Sequence, residues 1–311
     1  MNDANADLLT QFRNLDQLWN PADLPASEAA FRALLPEAEK MSAQIAGAHG
    51  SDQWIIIELL SMIGRAEALQ QKFTEARASL DQAEKLLNEQ QASYRLASKI
   101  RWLIERGRLY ILEKTPYPAR KLFAEAWTLA INSGEDYFAV EIAQLLATTE
   151  PQKVQQEWIL RAIKIAEESP LQKTKQWLGG LYTSLAWKYF DLREYEKALE
   201  TFQTALRHHK ATGTAREFFV AQWSIGKVLR SLGKTAEALE IQKALLSQLG
   251  IGGERDGRLY EELAECLQIL QRTTEAQIYF ELAYRELSND EWVTDNQPVK
   301  LKRLKDLGKV K

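Results

Sequence analysis

The chain has 311 residues and a mass of 35.6 kDa, which allows two domains of ~150 residues or one extended array. Its 40 Lys and Arg residues nearly balance its 43 Asp and Glu residues, and 45% of the residues are hydrophobic, which excludes a disordered chain. The formal net charge of -3 disfavours general electrostatic binding to nucleic acid or membranes, because such a chain repels polyanions on average. The single cysteine, Cys266, excludes a disulfide framework and a zinc site built from several thiolates.

The first 56 residues follow no repeat. No basic stretch is followed there by an apolar run, so we expect no secretory signal, no membrane span and a cytoplasmic location. Helical periodicity from Asp7 to Trp19 predicts an amphipathic helix, and Ser27 is placed to cap a second helix that Pro36 breaks or kinks. We predict that residues 1–56 form an N-terminal helical cap. A divergent hairpin explains this cap better than a separate domain, because terminal repeats are usually atypical.

From residue 57 onward, two apolar stripes at helical spacing alternate along the chain. In the clearest copy they read Tyr182-x2-Leu185-Ala186-x2-Tyr189 and Ala198-x3-Phe202-x2-Ala205. A small residue in the first stripe and its counterpart in the second lie twelve positions apart, at 64/76, 107/119, 143/155 (where the counterpart is Gln), 186/198, 226/238 and 264/276. Small residues let two helix axes approach toward the short end of the ~8–10 Å range, so each copy predicts a helical hairpin. No stretch alternates with period two for long enough to predict a strand, and the fold class is therefore all-α.

These stripes resemble the tetratricopeptide repeat (TPR) family, whose pattern is W-x2-L-G-x2-Y followed by A-x3-F-x2-A, and the match is best at 179–212 and 257–290. The resemblance covers residues 57–290, which predicts six TPR-like hairpins. It implies a right-handed superhelical solenoid of antiparallel helical hairpins, with the first helix of each hairpin along the concave side. Lys210 stands where the family pattern has a helix-ending proline, and the repeats exceed the usual ~34 residues, which indicates a long-unit variant. Residues 291–311 are predicted to form a C-terminal capping helix or a basic tail.

Residues suited to catalysis are sparse. His49 lies in a Gly-rich turn, and His208 and His209 are neighbours on a predicted helix, which makes them poor joint metal ligands because their side chains point about 100° apart. Cys266 lies in an apolar helix without a nearby His, so we expect a buried structural thiol rather than a nucleophile. The glycine-rich stretch 250–253 lacks the preceding strand and the following Lys-Ser/Thr of a phosphate loop. We therefore predict that the chain is not an enzyme and uses no cofactor or metal.

Each predicted first helix carries a second stripe that does not pack within its own hairpin. Ten members of this stripe are the predicted ligand-binding residues of the concave face: Arg65, Arg101, Arg108, Tyr137, Gln144, Trp187, Phe190, Trp223, Lys227 and Arg230. Trp187, Phe190 and Trp223 are large aromatic residues on a face that we expect to meet water, and Lys227 and Arg230 lie near them. Rings accompanied by cations predict a site for an acidic-hydrophobic peptide in the fourth and fifth hairpins. The alternative is that neighbouring helices or the C-terminal segment cover these rings.

Two classes of function fit this organisation. In the first, which we favour, the chain is a protein-protein interaction module that binds a peptide or helix of a partner on the concave face. In the second, it is an intracellular regulator or sensor whose superhelix responds to a bound peptide. A minor alternative is RNA binding through the stretch 95–121, whose net charge is +6. The stretch 254–291 has a net charge of -6, so attraction between the two stretches is a route to head-to-tail self-association.

Overall fold

The structure, a computed structural model, describes residues 15–49, 53–89, 96–252 and 255–310. A 3-10 turn at Leu15–Leu18 precedes the first α-helix, and no strand occurs within the described ranges. The predicted all-α class is therefore confirmed. The predicted amphipathic helix from Asp7 to Trp19 falls mostly outside the described residues, and the 3-10 turn is the part of it that is described.

The chain divides into two compact units, Met1–Thr174 and Lys175–Lys311. The helices of the N-terminal unit are α1 (Leu24–His49), α2 (Trp54–Leu69), α3 (Phe73–Glu89), α4 (Leu96–Leu112), α5 (Pro116–Ser133), α6 (Asp136–Thr149) and α7 (Gln152–Glu168). The short helix α8 (Gln172–Lys175) spans the boundary. The helices of the C-terminal unit are α9 (Leu178–Asp191), α10 (Tyr195–Thr212), α11 (Ala215–Ser231), α12 (Thr235–Gly252), α13 (Gly257–Ile269), α14 (Thr273–Leu287), α15 (Glu291–Asn296) and α16 (Pro298–Gly308).

Consecutive helices pair into hairpins: α2 with α3, α4 with α5 and α6 with α7 in the N-terminal unit, and α9 with α10, α11 with α12 and α13 with α14 in the C-terminal unit. Turns of two or three residues join the helices of a hairpin, which makes these helices antiparallel neighbours. Five of these turns contain a residue in the left-handed backbone region, with φ between 60° and 77°: Gln71, Lys114, Arg193, Gly233 and Gln271. Each of the five follows the small residue of its first helix by seven positions, so the turns repeat with the helices.

Where the small residue of the first helix is glycine, it makes room for a side chain sixteen positions later on the second helix. A methyl group added to Gly64 would lie 2.8 Å from Cγ of Leu80, and one added to Gly107 would overlap the ring of Phe123. The alanine twelve positions after the small residue is fully buried in five hairpins, as Ala76, Ala119, Ala198, Ala238 and Ala276. The twelve-residue spacing therefore marks a buried alanine, and the sixteen-residue spacing marks the pair that interlocks.

Each unit has its own apolar core between the two helices of its hairpins. Among the fully buried side chains of the N-terminal unit are Phe31, Ile57, Leu80, Ile100, Phe123 and Ile142. Those of the C-terminal unit include Phe202, Val228, Leu263, Phe280 and Leu304. These cores fix the rotation of each helix, and so they decide which residues of the first helices remain on the opposite face.

Helix α1 begins earlier and runs longer than the sequence predicts. It starts at Leu24, so Ser27 lies inside its first turn and accepts a hydrogen bond from the backbone N–H of Asn20 (2.8 Å) instead of capping the helix. The helix also continues through Pro36, because buried side chains on both sides of the proline, Phe31 and Ala38, hold it in place. The predictions of a cap at Ser27 and of a break at Pro36 are therefore wrong, and the alternative of a kink at Pro36 stays a prediction.

The C-terminal stretch is helical and packs against the last hairpin. Leu304 of α16 is fully buried, and a methyl group added to Gly308 would lie 2.7 Å from the backbone nitrogen of Glu281 in α14. Such close backbone approach requires a residue without a side chain at position 308. The basic residues of α16 therefore belong to a docked helix of the C-terminal unit.

Candidate functional site

The predicted ligand-binding residues of the N-terminal unit lie on three first helices. Arg65 is on α2, Arg101 and Arg108 are on α4, and Tyr137 and Gln144 are on α6. Arg101 is buried, and the other four are half-buried. Because the three arginines are largely removed from water, their charges must be compensated by neighbouring groups of the protein.

Carboxylates on the neighbouring first helices hold two of these arginines. Arg65 lies 3.5 Å from Glu105 of α4, and Arg108 lies 2.5 Å from Glu141 of α6. Arg108 also lies 3.3 Å from Glu105, whose side chain is fully buried. Ion pairs therefore connect one hairpin to the next along the first helices.

The third arginine, Arg101, has a more exposed partner. Its Nη2 donates a hydrogen bond to Asp16 (3.2 Å), its Nε lies 3.9 Å from Glu58, and its guanidinium lies 4.9 Å from the centre of the Phe138 ring. Burial alone would lower the pKa of Arg101, but the nearby carboxylates outweigh burial and raise the pKa above its usual value. The guanidinium is therefore always charged, and its environment must supply negative charge.

Tyr137 lies beside this group of charges and forms a small aromatic surface. Its ring centre is 5.9 Å from that of Phe138, and the ammonium of Lys173 lies 4.8 Å from the Tyr137 ring. Burial, together with the charge of Glu141, raises the pKa of Tyr137. The phenol is therefore neutral at physiological pH.

The C-terminal unit brings together three predicted aromatic residues, Trp187, Phe190 and Trp223, which we call the aromatic cluster. The ring centre of Trp187 is 5.4 Å from that of Phe190 and 6.0 Å from that of Trp223. Trp187 also contacts the buried ring of Phe202 edge-on, at 5.0 Å. All three members of the cluster are half-buried, so they rest on the core of the unit and still expose part of their surface.

The two predicted cations next to the aromatic cluster share one buried carboxylate. Lys227 lies 2.7 Å and Arg230 lies 2.8 Å from Glu262 of α13, whose side chain is only 1% exposed. Burial alone would raise the pKa of Glu262, but Lys227 and Arg230 outweigh it and hold the pKa below its usual value. The ammonium of Lys227 also lies 5.2 Å from the centre of the Trp223 ring. Lys227 and Arg230 therefore connect α11 to α13 through Glu262, and Lys227 also lies beside the aromatic cluster.

The carboxylates Glu105, Glu141 and Glu262 are absent from the sequence prediction, although a signal for them exists. Each lies two positions before the small residue of its first helix, and its cation lies one position after the small residue of the preceding first helix. The resulting pairs are Arg65 with Glu105, Arg108 with Glu141 and Lys227 with Glu262. A search for opposite charges at these two repeat positions finds all three pairs.

The basic stretch of the second hairpin is also paired with carboxylates. In addition to Arg101 and Arg108, three cations of this stretch form ion pairs. The pairs are Lys99 with Glu125, Arg106 with Asp81, and Arg120 with Glu150. In the acidic stretch, Glu261 and Glu265 of α13 pair with Lys300 and Arg303 of α16. Internal pairing therefore reduces the charge that either stretch presents to another molecule.

The remaining candidates for chemistry are structural within the described ranges. Cys266 is buried, and burial raises the pKa of its thiol to about 12, so the thiol is protonated at neutral pH. His209 is buried, and its Nε2 lies 3.1 Å from the Thr183 hydroxyl. No group of three or more metal-ligating side chains occurs among the described residues. Nor is any helix in these ranges long and apolar enough to cross a membrane.

No protein-family model and no curated protein sequence matches the chain. Solved structures match its fold. RapI in its apo form is 15% identical with a TM-score of 0.71, over 98% of this chain and 81% of RapI. A signal transduction ATPase with a tetratricopeptide repeat sensor, from Pyrococcus horikoshii, is 14% identical with a TM-score of 0.67, over 93% of this chain and 45% of that protein.

A third similar protein is the quorum sensor NprR from B. thuringiensis. In its apo form NprR is 16% identical with a TM-score of 0.62, over 96% of this chain and 79% of NprR. NprR in complex with its cognate peptide NprX is 16% identical with a TM-score of 0.51, over 92% of this chain and 85% of NprR. These likenesses confirm the TPR-like fold that the sequence predicts.

Proposed function

We propose that the chain is a binding module that captures a segment of a partner protein on the aromatic cluster of the C-terminal unit. The observation that carries this proposal is the half-buried contact of Trp187, Phe190 and Trp223, which come from two neighbouring first helices. Large aromatic rings that pack against the core on one face and are exposed to solvent on the other are typical of the residues that dominate binding energy. A peptide or helix of a partner would bury the surface that the rings still expose.

The charges next to the aromatic cluster favour an acidic-hydrophobic segment. Lys227 and Arg230 carry two positive charges, and Glu262 compensates only one of them. Both cations also keep part of their surface, 24% and 20% of the side chain, in contact with solvent. An acidic group of the partner would therefore meet one uncompensated positive charge at the edge of the rings.

The fold likeness supports the class of function without assigning residues. NprR was solved with its cognate peptide, so a similar arrangement of helices can hold a peptide. NprR is also a quorum sensor, which favours the second candidate function, an intracellular regulator or sensor that responds to a bound peptide. In this proposal the chain works in the cytoplasm and has no catalytic activity of its own. RNA binding is not proposed, because five of the eight cations of the basic stretch are paired internally within the part of the chain that the structure describes.

The test compares Trp223→Ala with the wild-type chain in pull-downs from native lysate, followed by quantitative mass spectrometry and titration of the partner found. We expect Trp223→Ala to weaken the free energy of binding of that partner by about 1–3 kcal/mol, because the substitution removes a ring of the aromatic cluster. Lys227→Gln should also weaken binding. It is preferable to Lys227→Glu, which would place a second carboxylate against Glu262.

The matched control is Trp292→Ala, which removes a tryptophan of α15 that is 57% exposed and lies outside the cluster. Circular dichroism checks that all variants keep the helix content of the wild-type chain. If Trp223→Ala and Lys227→Gln bind every partner as the wild-type chain does, the aromatic cluster is not the binding site.

A further inference from the structure

A short segment before α1 lies on the first helices of the N-terminal unit. Asp16 accepts a hydrogen bond from Arg101 of α4 (3.2 Å), and the ring of Trp19 lies 4.3 Å from the guanidinium of Arg65 of α2. Leu15, at the beginning of the segment, is 3% exposed. The segment therefore presents an acid, an aromatic ring and an apolar side chain to two of the predicted ligand-binding arginines.

The segment supplies the hydrogen-bonding anion of Arg101. Glu58, Glu105 and Glu141 balance the charges of Arg65, Arg101 and Arg108, but the hydrogen bond that Arg101 donates within the described residues goes to Asp16. A buried guanidinium without a hydrogen-bonded anion is costly. An acidic side chain over Arg101 therefore provides a bond that the neighbouring glutamates do not.

The middle of the segment is held weakly, whereas its two ends are anchored. Asp16, Gln17 and Leu18 are exposed, and a partly exposed ion pair or cation-π contact contributes little because water competes for the charges. At the ends, Leu15 is buried, the ring of Trp19 stacks on that of Phe31 of α1 (6.5 Å between ring centres), and the backbone of Asn20 hydrogen-bonds to Ser27 (2.8 Å). An occupant that replaces the segment must therefore bring an apolar side chain and a ring for these sites as well as a carboxylate for Arg101.

We propose that Arg65 and Arg101 form a second binding surface, which takes an acidic-aromatic segment of a partner protein, and that Leu15–Asn20 is its built-in occupant. A partner segment displaces Leu15–Asn20 by placing a carboxylate over Arg101 and a ring under Arg65. The surface lies in the N-terminal unit and uses none of the residues of the aromatic cluster. The inference therefore goes beyond the proposed function and stands without it.

The experiment uses the full chain and a peptide with the sequence of residues 5–20, labelled with fluorescein. Asp16→Lys opens the surface, because it replaces the carboxylate by a cation next to Arg101, which repels the guanidinium. By fluorescence anisotropy at low salt, the peptide should bind Asp16→Lys at least ten times more tightly than it binds the wild-type chain. A peptide with Lys and Ala at the positions of Asp16 and Trp19 should not bind.

Two further variants locate the binding in the Asp16→Lys background. Arg65→Gln should abolish peptide binding, whereas Trp223→Ala should leave it unchanged, since that residue belongs to the other unit. Equal binding of the peptide to the wild-type chain and to Asp16→Lys would overturn the proposal, as would binding of neither chain or binding of the altered peptide. A wild-type dimer that Asp16→Lys dissociates would also overturn it, because the occupant would then be the segment of a second copy.

Discussion

A single buried polar side chain distinguishes the fifth hairpin from the others. The position sixteen residues after the small residue holds an apolar side chain in five hairpins, but it holds Gln242 in the fifth hairpin of the chain. The apolar side chains are Leu80, Phe123, Ile159, Phe202 and Phe280. Gln242 is fully buried, its Nε2 donates to the Trp223 carbonyl (3.1 Å), and its Oε1 has no hydrogen-bond partner among the described residues. A buried acceptor without a partner carries its desolvation cost uncompensated.

We predict that Gln242→Leu stabilises the chain. The substitution removes the unpaired oxygen and places an apolar side chain of similar size where other hairpins have one, and the Trp223 carbonyl keeps its bond within the helix. The free energy of unfolding in urea should rise by about 1 kcal/mol. Gln242→Glu serves as the opposite case and should lower it, because it buries a charge. A less stable Gln242→Leu would show that the Nε2 bond outweighs the unpaired oxygen.

Two neighbouring glycines of α9 give a second test at the scale of the residue. A methyl group added to Gly179 would lie 2.7 Å from the ring of His209, whereas one added to Gly180 would meet nothing within 4 Å. Gly179→Ala should therefore lower the free energy of unfolding by about 1–3 kcal/mol, as overpacked sites do. Gly180→Ala should raise it by up to ~1 kcal/mol, because alanine favours a helix more than glycine does. Equal effects of the two substitutions, measured by thermal unfolding, would contradict the packing of α9 on α10.

At the scale of the element, one carboxylate connects α1 to the first hairpin. Glu28 of α1 pairs with Lys72 at 2.9 Å, with Arg32 at 2.9 Å, and accepts a hydrogen bond from Gln70 at 2.9 Å. Burial alone would raise the pKa of Glu28, but the bonds to Lys72, Arg32 and Gln70 outweigh it and lower the pKa from 4.5 to about 2. The bonds therefore favour the ionised form of Glu28 in the folded chain.

This lowered pKa predicts a specific pH dependence. A carboxylate with a depressed pKa stabilises the folded state above its unfolded pKa near 4.5, and the contribution is lost as the pH falls toward 2. Glu28→Gln should therefore lower the free energy of unfolding by about 1–2 kcal/mol at pH 7 and have little effect near pH 2. Glu39→Gln, at an exposed position of the same helix, is the control and should change little. A Glu28→Gln effect that is equal at both pH values would refute this role.

At the scale of the whole molecule, the division into two compact units predicts that a core substitution destabilises only the unit that contains it. Phe123 in the N-terminal unit and Phe280 in the C-terminal unit occupy the same repeat position and are 0% and 1% exposed. Replacing either phenylalanine by alanine should lower the free energy of unfolding by about 3–5 kcal/mol, because it leaves a cavity in the core. In repeat proteins each hairpin is stabilised chiefly by its neighbours, so the loss should be confined to one unit.

Hydrogen exchange with mass spectrometry checks this expectation. Phe123→Ala should accelerate exchange in α2 to α7 and leave α11 to α14 unchanged, and Phe280→Ala should do the reverse. Each variant serves as the control of the other. Faster exchange in both units with either variant would show that the chain unfolds as one cooperative body.

The sequence by itself determined the all-α class, the hairpins and the twelve-residue spacing of small residues, whereas the interlocking partner sixteen positions later came from the structure. These features follow from local patterns, because helical periodicity and the spacing of small residues act within one hairpin of about 40 residues. The sequence also placed Trp187, Phe190 and Trp223 on the first helices, as α9 and α11 confirm. Whether these residues bind a partner remains a prediction.

Only the tertiary structure decided which charges are satisfied within the fold. Arg65, Arg108 and Lys227 find their carboxylates 33 to 40 positions away, on the next hairpin, and the contact of Asp16 with Arg101 spans 85 positions. The three pairs between hairpins recur at fixed repeat positions, but helical periodicity within one hairpin does not predict them, because the stacking of hairpins brings them together. The contact of Asp16 with Arg101 follows no repeat, because the turn before α1 positions Asp16. Burial then selects the pairs, since a guanidinium or carboxylate removed from water must find its opposite charge.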